Sequence, residues 1–166
     1  IDVALLNKMI SEKMIVSQKH PTLDLYIYNY TRKCTYEKCW NEMTLLCRGL
    51  VLDAEYNIVS LPLKKFFNYE ELTPEVRKKI TGNYKIYSKV DGSCGVAYKF
   101  NGVYGITTRG SFASDQAIWA TELLNTKYSA VLNKLDFNNY TYVFEIIIKS
   151  NRIVVNYGDF EDLVLL

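Results

Sequence analysis

Residues 87–95 read Tyr87-Ser88-Lys89-Val90-Asp91-Gly92-Ser93-Cys94-Gly95 (YSKVDGSCG). A strand-like run, Tyr84–Val90, meets a lysine and passes at once into an Asp-Gly turn. A second extended run, Cys94–Phe100, leads through Asn101-Gly102 into a third, Val103–Thr108. Asn-Gly between alternating hydrophobics is a hairpin signal. Strands joined by such short turns must be antiparallel, so this stretch points to hairpin-built sheets and away from βαβ units. Lys89 on its own is ordinary, because lysines are common at strand ends. Its surroundings decide whether it is a surface charge or a nucleophile.

Outward from that centre the pattern is consistent. Residues 2–16 set Val3, Leu6, Ile10 and Met14 at helical spacing, with Asp2 as N-cap. Leu23–Thr31 alternates as a strand, with Leu25, Ile27 and Asn29 on one face and Tyr26, Tyr28 and Tyr30 on the other. Residues 32–44 are polar and irregular. Leu45–Asp53 and Ile58–Lys65 read as a hairpin. Thr73-Pro74 opens a short helix to about Ile80. Ser114–Asn125 and Tyr128–Leu135 are helical, and Thr141–Lys149, Ile153–Tyr157 and Asp162–Leu166 are strands. The expected fold class is α+β with mostly antiparallel sheets, as a single domain over residues 1–166.

The chain has 166 residues, 49% hydrophobic and 23% charged, enough for a substantial core. A net charge of +2 demands no polyanionic partner. The cysteines, at 34, 39, 47 and 94, lack a zinc spacing, and His20 is the only histidine. Reduced thiols and a cytoplasmic setting are the expectation. No apolar run of about 18 residues could span a membrane. The first sixteen residues carry Asp2, Lys8, Glu12 and Lys13, unlike a signal peptide.

A lysine attacks only as the neutral amine. With an ordinary pKa near 10.4, about one lysine in a thousand is neutral at pH 7.4, unless nearby cations or burial lower the value. Arg48, Lys65 and Arg109 each lie in or near an expected strand and could supply those cations. Gathered together they would also suit a polyphosphate; apart, they are three surface charges. Glu145 is more telling. In Val143-Phe144-Glu145-Ile146-Ile147-Ile148, alternation puts Phe144, Ile146 and Ile148 on one face and Glu145 on the other with Val143 and Ile147. A carboxylate among apolar neighbours is costly unless it is paired or functional.

Lys89-Val90-Asp91-Gly92-Ser93 resembles the nucleotidyl-acceptor motif of the covalent nucleotidyltransferases, which include ATP-dependent ligases and mRNA capping enzymes. The series Cys47-Arg48-Gly49, Lys65-Phe66-Phe67-Asn68, Lys89–Ser93, Arg109-Gly110-Ser111, Phe144-Glu145 and Asn151-Arg152-Ile153-Val154 is similar, in that order, to bacteriophage-type RNA ligases of the tRNA-repair class. The likeness runs from about Tyr26 to the C-terminus. It implies a nucleotidyltransferase (ATP-grasp-like ligase) fold, with ATP and Mg2+ as cofactors. It also implies RNA ends bearing a 5′-phosphate and a 3′-hydroxyl as substrates, and an end-healing kinase or phosphatase as a fused or separate partner.

By the same resemblance, Lys89 is the residue that takes AMP. Arg48 and Lys65 match basic residues at the nucleotide phosphates, with Lys64 an alternative to Lys65. Tyr28 matches an aromatic residue of that region. Arg109 stands where the family often has lysine, keeping the charge and changing its geometry. Glu145 matches the acidic residue near ribose and metal. Gly92 permits close backbone approach, and Asp91 fixes the turn. The family's two further motifs, a Glu-Gly strand and a strand with paired lysines, do not occur before Leu166, so a fragment of a longer chain is expected, acting inside the cell or an infected host. The alternatives are a capping guanylyltransferase, a DNA ligase, or a non-catalytic RNA-binding remnant of the same fold.

Overall fold

Asp2 caps α1 (Val3–Ser11), its side chain accepting the N–H of Leu5 at 2.9 Å, and Leu6 and Met9 face the core. The spacing predicts this helix to residue 16, but it ends at Ser11. Lys13 takes a φ of 61°, which breaks the helix. The chain then turns into β1 (Ile15–Lys19), where the sequence shows no separate strand. Met14 is buried, as its helical position suggests, but in the turn. These features belong to a computed structural model that describes residues 1–166.

β2 (Leu25–Tyr30) follows. Then α2 (Arg32–Tyr36) and α3 (Glu42–Leu46) occupy the stretch expected to be irregular. Side chains settle both helices. The Thr31 hydroxyl accepts the N–H of Cys34, and Asn41 accepts those of Met43 and Thr44. β3 (Arg48–Asp53) and β4 (Ile58–Ser60) form the expected hairpin. α4 (Pro74–Lys79) starts at Thr73-Pro74 as predicted. β5 (Ser93–Phe100) and β6 (Val103–Thr108) pair around Asn101-Gly102. α5 (Asp115–Thr126), α6 (Ser129–Leu132), β7 (Val143–Ile147) and β8 (Asp162–Leu165) complete the chain.

The strands make two four-stranded sheets, one in the order β1-β2-β3-β4 and the other β6-β5-β7-β8, with every pairing antiparallel. This is the mixed helix-and-sheet, antiparallel architecture expected. Two expected strands are absent. Residues 84–90 and 153–157 form no strand, and no strand of the chain pairs with them. Alternation signals an extended run; only a ladder partner makes it a strand.

Burial shows how the layers stack. One apolar cluster lies between the first sheet and its helices, with Leu6, Met9, Met43, Leu50 and Leu52. Another lies between the second sheet and α5 and α6, with Ala97, Ile106, Ala120, Leu124 and Ile146. The third joins Leu25, Ile27 and Val51 of the first sheet to Tyr98 of the second and to Phe112 in the loop after β6. The sheets therefore face one another, with helices outside each. The Ser60 hydroxyl, donating to the Ala97 carbonyl at 2.8 Å, ties them at the centre.

Candidate active site

At one end of the inter-sheet gap the alternation of β5 and β7 brings chemistry inward. Phe144, Ile146 and Ile148 pack into the outer cluster beneath α5. Glu145 is left on the opposite face, as the sequence predicts. It pairs across the ladder with Cys94, which shares its face of β5 with Tyr98. Arg48 opens β3 from the other sheet, and Arg109 follows β6. Cys94 registers all three charges. Burial raises its thiol pKa, Arg48 and Arg109 pull it down, and Glu145 pushes it up.

Glycine makes this convergence possible at two points. Gly49 has a φ of 92° where the pairing of β2 with β3 shifts register, and a Cβ there would stand 3.3 Å from the carbonyl oxygen of Arg109. The Arg-Gly pair thus bends β3 so that the Arg109 segment can lie against it. A Cβ on Gly92 would collide with the Ile146 carbonyl and stand 3.1 Å from Cγ of Glu145. The turn after Lys89 is pressed onto β7 beside the carboxylate.

Lys89 is exposed, and its charge acts on both nearby carboxylates. Burial raises the pKa of Glu145, opposed by the Gly92 N–H and the Lys89 charge, while Asp91 adds to the rise. Asp91 goes the other way. The N–H groups of Val155 and Val154 hold its carboxyl below the ordinary carboxylate value.

The cations rest on aromatic rings. The Arg48 guanidinium lies 4.9 Å from the centroid of Phe66, and that of Arg109 lies 4.6 Å from Tyr30. Lys65 takes a different direction. Its Nζ lies 4.3 Å from the Phe67 centroid and 5.7 Å from Trp40, and it donates to the Phe66 carbonyl at 2.6 Å. In this arrangement its amine is turned toward an aromatic hollow of about 400 Å³ that also includes Lys38 and Thr73. The structure therefore gathers Arg48, Lys89, Gly92, Arg109 and Glu145, and sets Lys65 to one side.

Tyr28 does not join them. It is 5% exposed and packs with Leu6, Met9 and Leu50 on the helix side of its sheet. Burial, with Tyr56, Tyr26 and Cys47 nearby, pushes its hydroxyl pKa up to about 12. Tyr30 is the tyrosine that meets a site cation. The sequence signal lies in Tyr28-Asn29-Tyr30; both tyrosines pack on the same cluster, and only Tyr30, nearer the strand end, also meets Arg109. Cys94 and the stacking role of Phe66 are also missed by sequence reasoning; the signal for Cys94 is its position two residues after Gly92.

Two guanidiniums, an amine and one carboxylate around a glycine cradle fit a nucleoside polyphosphate. Asn29, the ladder partner of Arg48, adds a buried side-chain oxygen with no hydrogen-bond donor, which fits a ligand bearing hydroxyl or amino groups. No three of His, Cys, Asp and Glu cluster as a metal cage. Magnesium is commonly held by one or two carboxylates together with substrate phosphates, and Glu145 is the carboxylate beside the Lys89 turn.

A protein-family model described as "RNA ligase" matches residues 46–166, which spans Arg48, Lys89, Arg109 and Glu145. The chain belongs to the RNA ligase family. It is 31% identical over 177 residues to a protein of Autographa californica nuclear polyhedrosis virus named "Putative bifunctional polynucleotide kinase/RNA ligase", covering 92% of this chain and 25% of that one. It is 28% identical over 175 residues to the RNA ligase of Rhodothermus phage RM378, covering 82% of this chain and 39% of that one. The chain thus spans less than half the length of either relative. Both relatives are viral, in line with the phage-type resemblance. No helix is long and apolar enough to cross a membrane.

Proposed function

We propose that the chain is the nucleotidyltransferase part of an ATP-dependent RNA ligase, with Lys89 as AMP acceptor. The observation that carries this reading is that the turn after Lys89 is pressed onto β7 beside Glu145, while Gly49, next to Arg48, lies against the Arg109 backbone. The neutral Lys89 amine attacks the α-phosphorus of ATP. An N–P bond forms, the bond from that phosphorus to the bridging oxygen breaks, and pyrophosphate leaves. AMP then passes to an RNA 5′-phosphate, freeing the amine. An RNA 3′-hydroxyl finally attacks that phosphate, forming the phosphodiester and releasing AMP.

Arg48 and Arg109 neutralise phosphate charge as it develops. Both are held against aromatic rings, so little reorganisation is needed when the nucleotide arrives. Glu145 would hold the ribose hydroxyls or a magnesium ion. Magnesium, when bound, offsets charge on the phosphate oxygens. Lys65 has a share only if its side chain turns from Phe67 toward the phosphates. The kinase named in the baculovirus relative supports an end-healing kinase as partner, fused or separate. Viral relatives support action inside an infected host cell.

The test is covalent labelling of the full-length protein. ATP labelled at the α-phosphate should leave label on Lys89, located by peptide mapping, and Lys89→Ala should take none. Label on a different residue sinks the assignment. GTP run alongside ATP separates a capping enzyme, and RNA against DNA nicks separates a DNA ligase.

A further inference from the structure

The segment from Asn151 to Tyr157 belongs to no strand, yet it is fastened to the turn after Lys89 by four hydrogen bonds. Asn151 Nδ2 donates to the Ser93 hydroxyl at 2.7 Å. The N–H groups of Val154 and Val155 both donate to Oδ2 of Asp91, at 2.8 and 2.7 Å. The Asp91 N–H donates to the Tyr157 hydroxyl at 2.8 Å. Asp91 is thus gripped twice by one short segment, through its carboxylate and through its own backbone. Two N–H donors converging on one carboxylate oxygen are charge-assisted and stronger than neutral bonds.

Tyr157 is placed to act as a rigid post. Its ring is half-buried, 6.4 Å from that of Phe160. It borders an open pocket of about 180 Å³ whose walls include Asp91, Gly92, Ile148 and Arg152. The hydroxyl reaches Asp91 from a half-buried ring. On the other side of Lys89 nothing comparable exists. Residues 84–88 are exposed and unpaired, with Tyr84, Ile86 and Tyr87 each about four-fifths in solvent (80%, 84% and 78%). The amine's position is restrained mainly from its C-terminal side, through Asp91 and Gly92.

We infer that Tyr157, acting with Asp91, is a positioning residue that holds the turn after Lys89 so that the amine is aimed into the site beside Glu145. This role rests on Lys89 being the AMP acceptor. Tyr157 does not touch the reacting atoms. An attacking amine must come within about 3–3.5 Å of its target, and a displacement of about 1 Å can cost a hundredfold in rate. A turn held by a backbone bond and a carboxylate bond together is suited to that tolerance. Val154 and Val155 present their N–H groups to Asp91 in place of a neighbouring strand.

The experiment is Tyr157→Phe in the full-length protein, read in two ways. The first is single-turnover labelling of Lys89 by α-labelled ATP over a range of ATP concentrations. The second is amide hydrogen exchange at Asp91 and at Val96–Tyr98 of β5. The expected result is a maximal labelling rate lower by about tenfold or more, a half-saturating ATP concentration within about twofold of wild type, faster exchange at Asp91, and β5 unchanged. Asp91→Asn keeps one carbonyl acceptor for the valine N–H groups, so it should recover part of the rate that Asp91→Ala loses. Wild-type labelling by Tyr157→Phe overturns the role, and so does a loss expressed only as weaker ATP use. Collapse of β5 protection in Tyr157→Phe makes the hydroxyl structural and overturns it too. If wild type itself takes no label, the ligase reading falls and the positioning role falls with it. That outcome is distinct from one in which wild type and Tyr157→Phe label equally fast.

Discussion

Cys94 and Glu145 are register partners across β5 and β7, and this pairing puts a carboxylate on the face of the sheet that looks into the inter-sheet gap. Burial there raises the Glu145 pKa above its ordinary 4.5. A raised carboxylate pKa favours the folded state in acid. That contribution is complete below about 4.5 and is lost as pH rises through the folded value. At neutral pH the ionised Glu145 therefore works against folding, and its retention needs a functional reason. Glu145→Gln removes the charge at constant shape. Its melting temperature at pH 7 should equal or exceed wild type, with the gain disappearing toward pH 4, while lysine labelling by ATP falls by about a hundredfold. A variant that labels normally would make Glu145 a structural residue.

The two stacked arginines lead to a second expectation. Hydrogen bonds from charged groups contribute roughly 1.5–3 kcal/mol, so Arg48→Ala and Arg109→Ala should each weaken labelling about tenfold or more. Lysine is a harsher test than it looks. Arg48→Lys and Arg109→Lys keep the charge but lose the guanidinium contact with Phe66 and Tyr30 and the forked donors. Each should fall between wild type and its alanine variant. If all four variants label at the wild-type rate, the two guanidiniums do not share a phosphate site.

Much of this was legible in the sequence, and the failures have physical causes. The inward face of Glu145 follows from strict alternation in an apolar run, because β7 is regular and its outer face is filled by Phe144, Ile146 and Ile148. The hairpin at Asn101-Gly102 follows from turn chemistry. The end of α1 does not, because Met14 continues the helical spacing and only the backbone of Lys13 shows the break. The strands expected at 84–90 and 153–157 do not form, since pairing is a property of two segments. The bonds that hold Val154 and Val155 come from Asp91, about sixty residues away in the chain, at a distance no local pattern reports.

The tyrosines separate two kinds of aromatic residue that composition treats alike. Tyr28 is buried on the helix side of its sheet, whereas Tyr30 carries the Arg109 guanidinium. Tyr28→Phe should leave the labelling rate and its ATP dependence at wild-type values. Tyr30→Leu keeps bulk but removes the ring, so it should weaken ATP use by roughly two- to fivefold, the size of an exposed cation–π contact of about 0.5–1 kcal/mol. The reverse pattern, with Tyr28→Phe impaired and Tyr30→Leu normal, would restore Tyr28 to the nucleotide site.

Gly49 ties fold to function most directly. It occupies a positive φ of 92° at the register shift between β2 and β3, and its missing side chain lets the Arg109 backbone approach. Gly49→Ala meets both obstacles at once. An L-residue at that backbone angle costs about 1–3 kcal/mol, and for a chain of this length each kcal/mol lowers the melting temperature by roughly 2–4 °C. The new Cβ, 3.3 Å from the Arg109 carbonyl oxygen, must also move either β3 or the Arg109 segment. Arg48 precedes the glycine directly, so either shift alters the spacing of the two guanidiniums. The expected outcome is a protein that still folds below its lowered transition and labels Lys89 about tenfold or more slowly at saturating ATP. Gly82→Ala supplies the comparison. Gly82 also has a positive φ, of 97°, but has no atom within 4 Å of an added Cβ. It should lose stability by a similar amount and keep its labelling rate at temperatures where both variants are folded. Equal rates in the two variants would mean that the close approach of Gly49 to Arg109 serves packing alone.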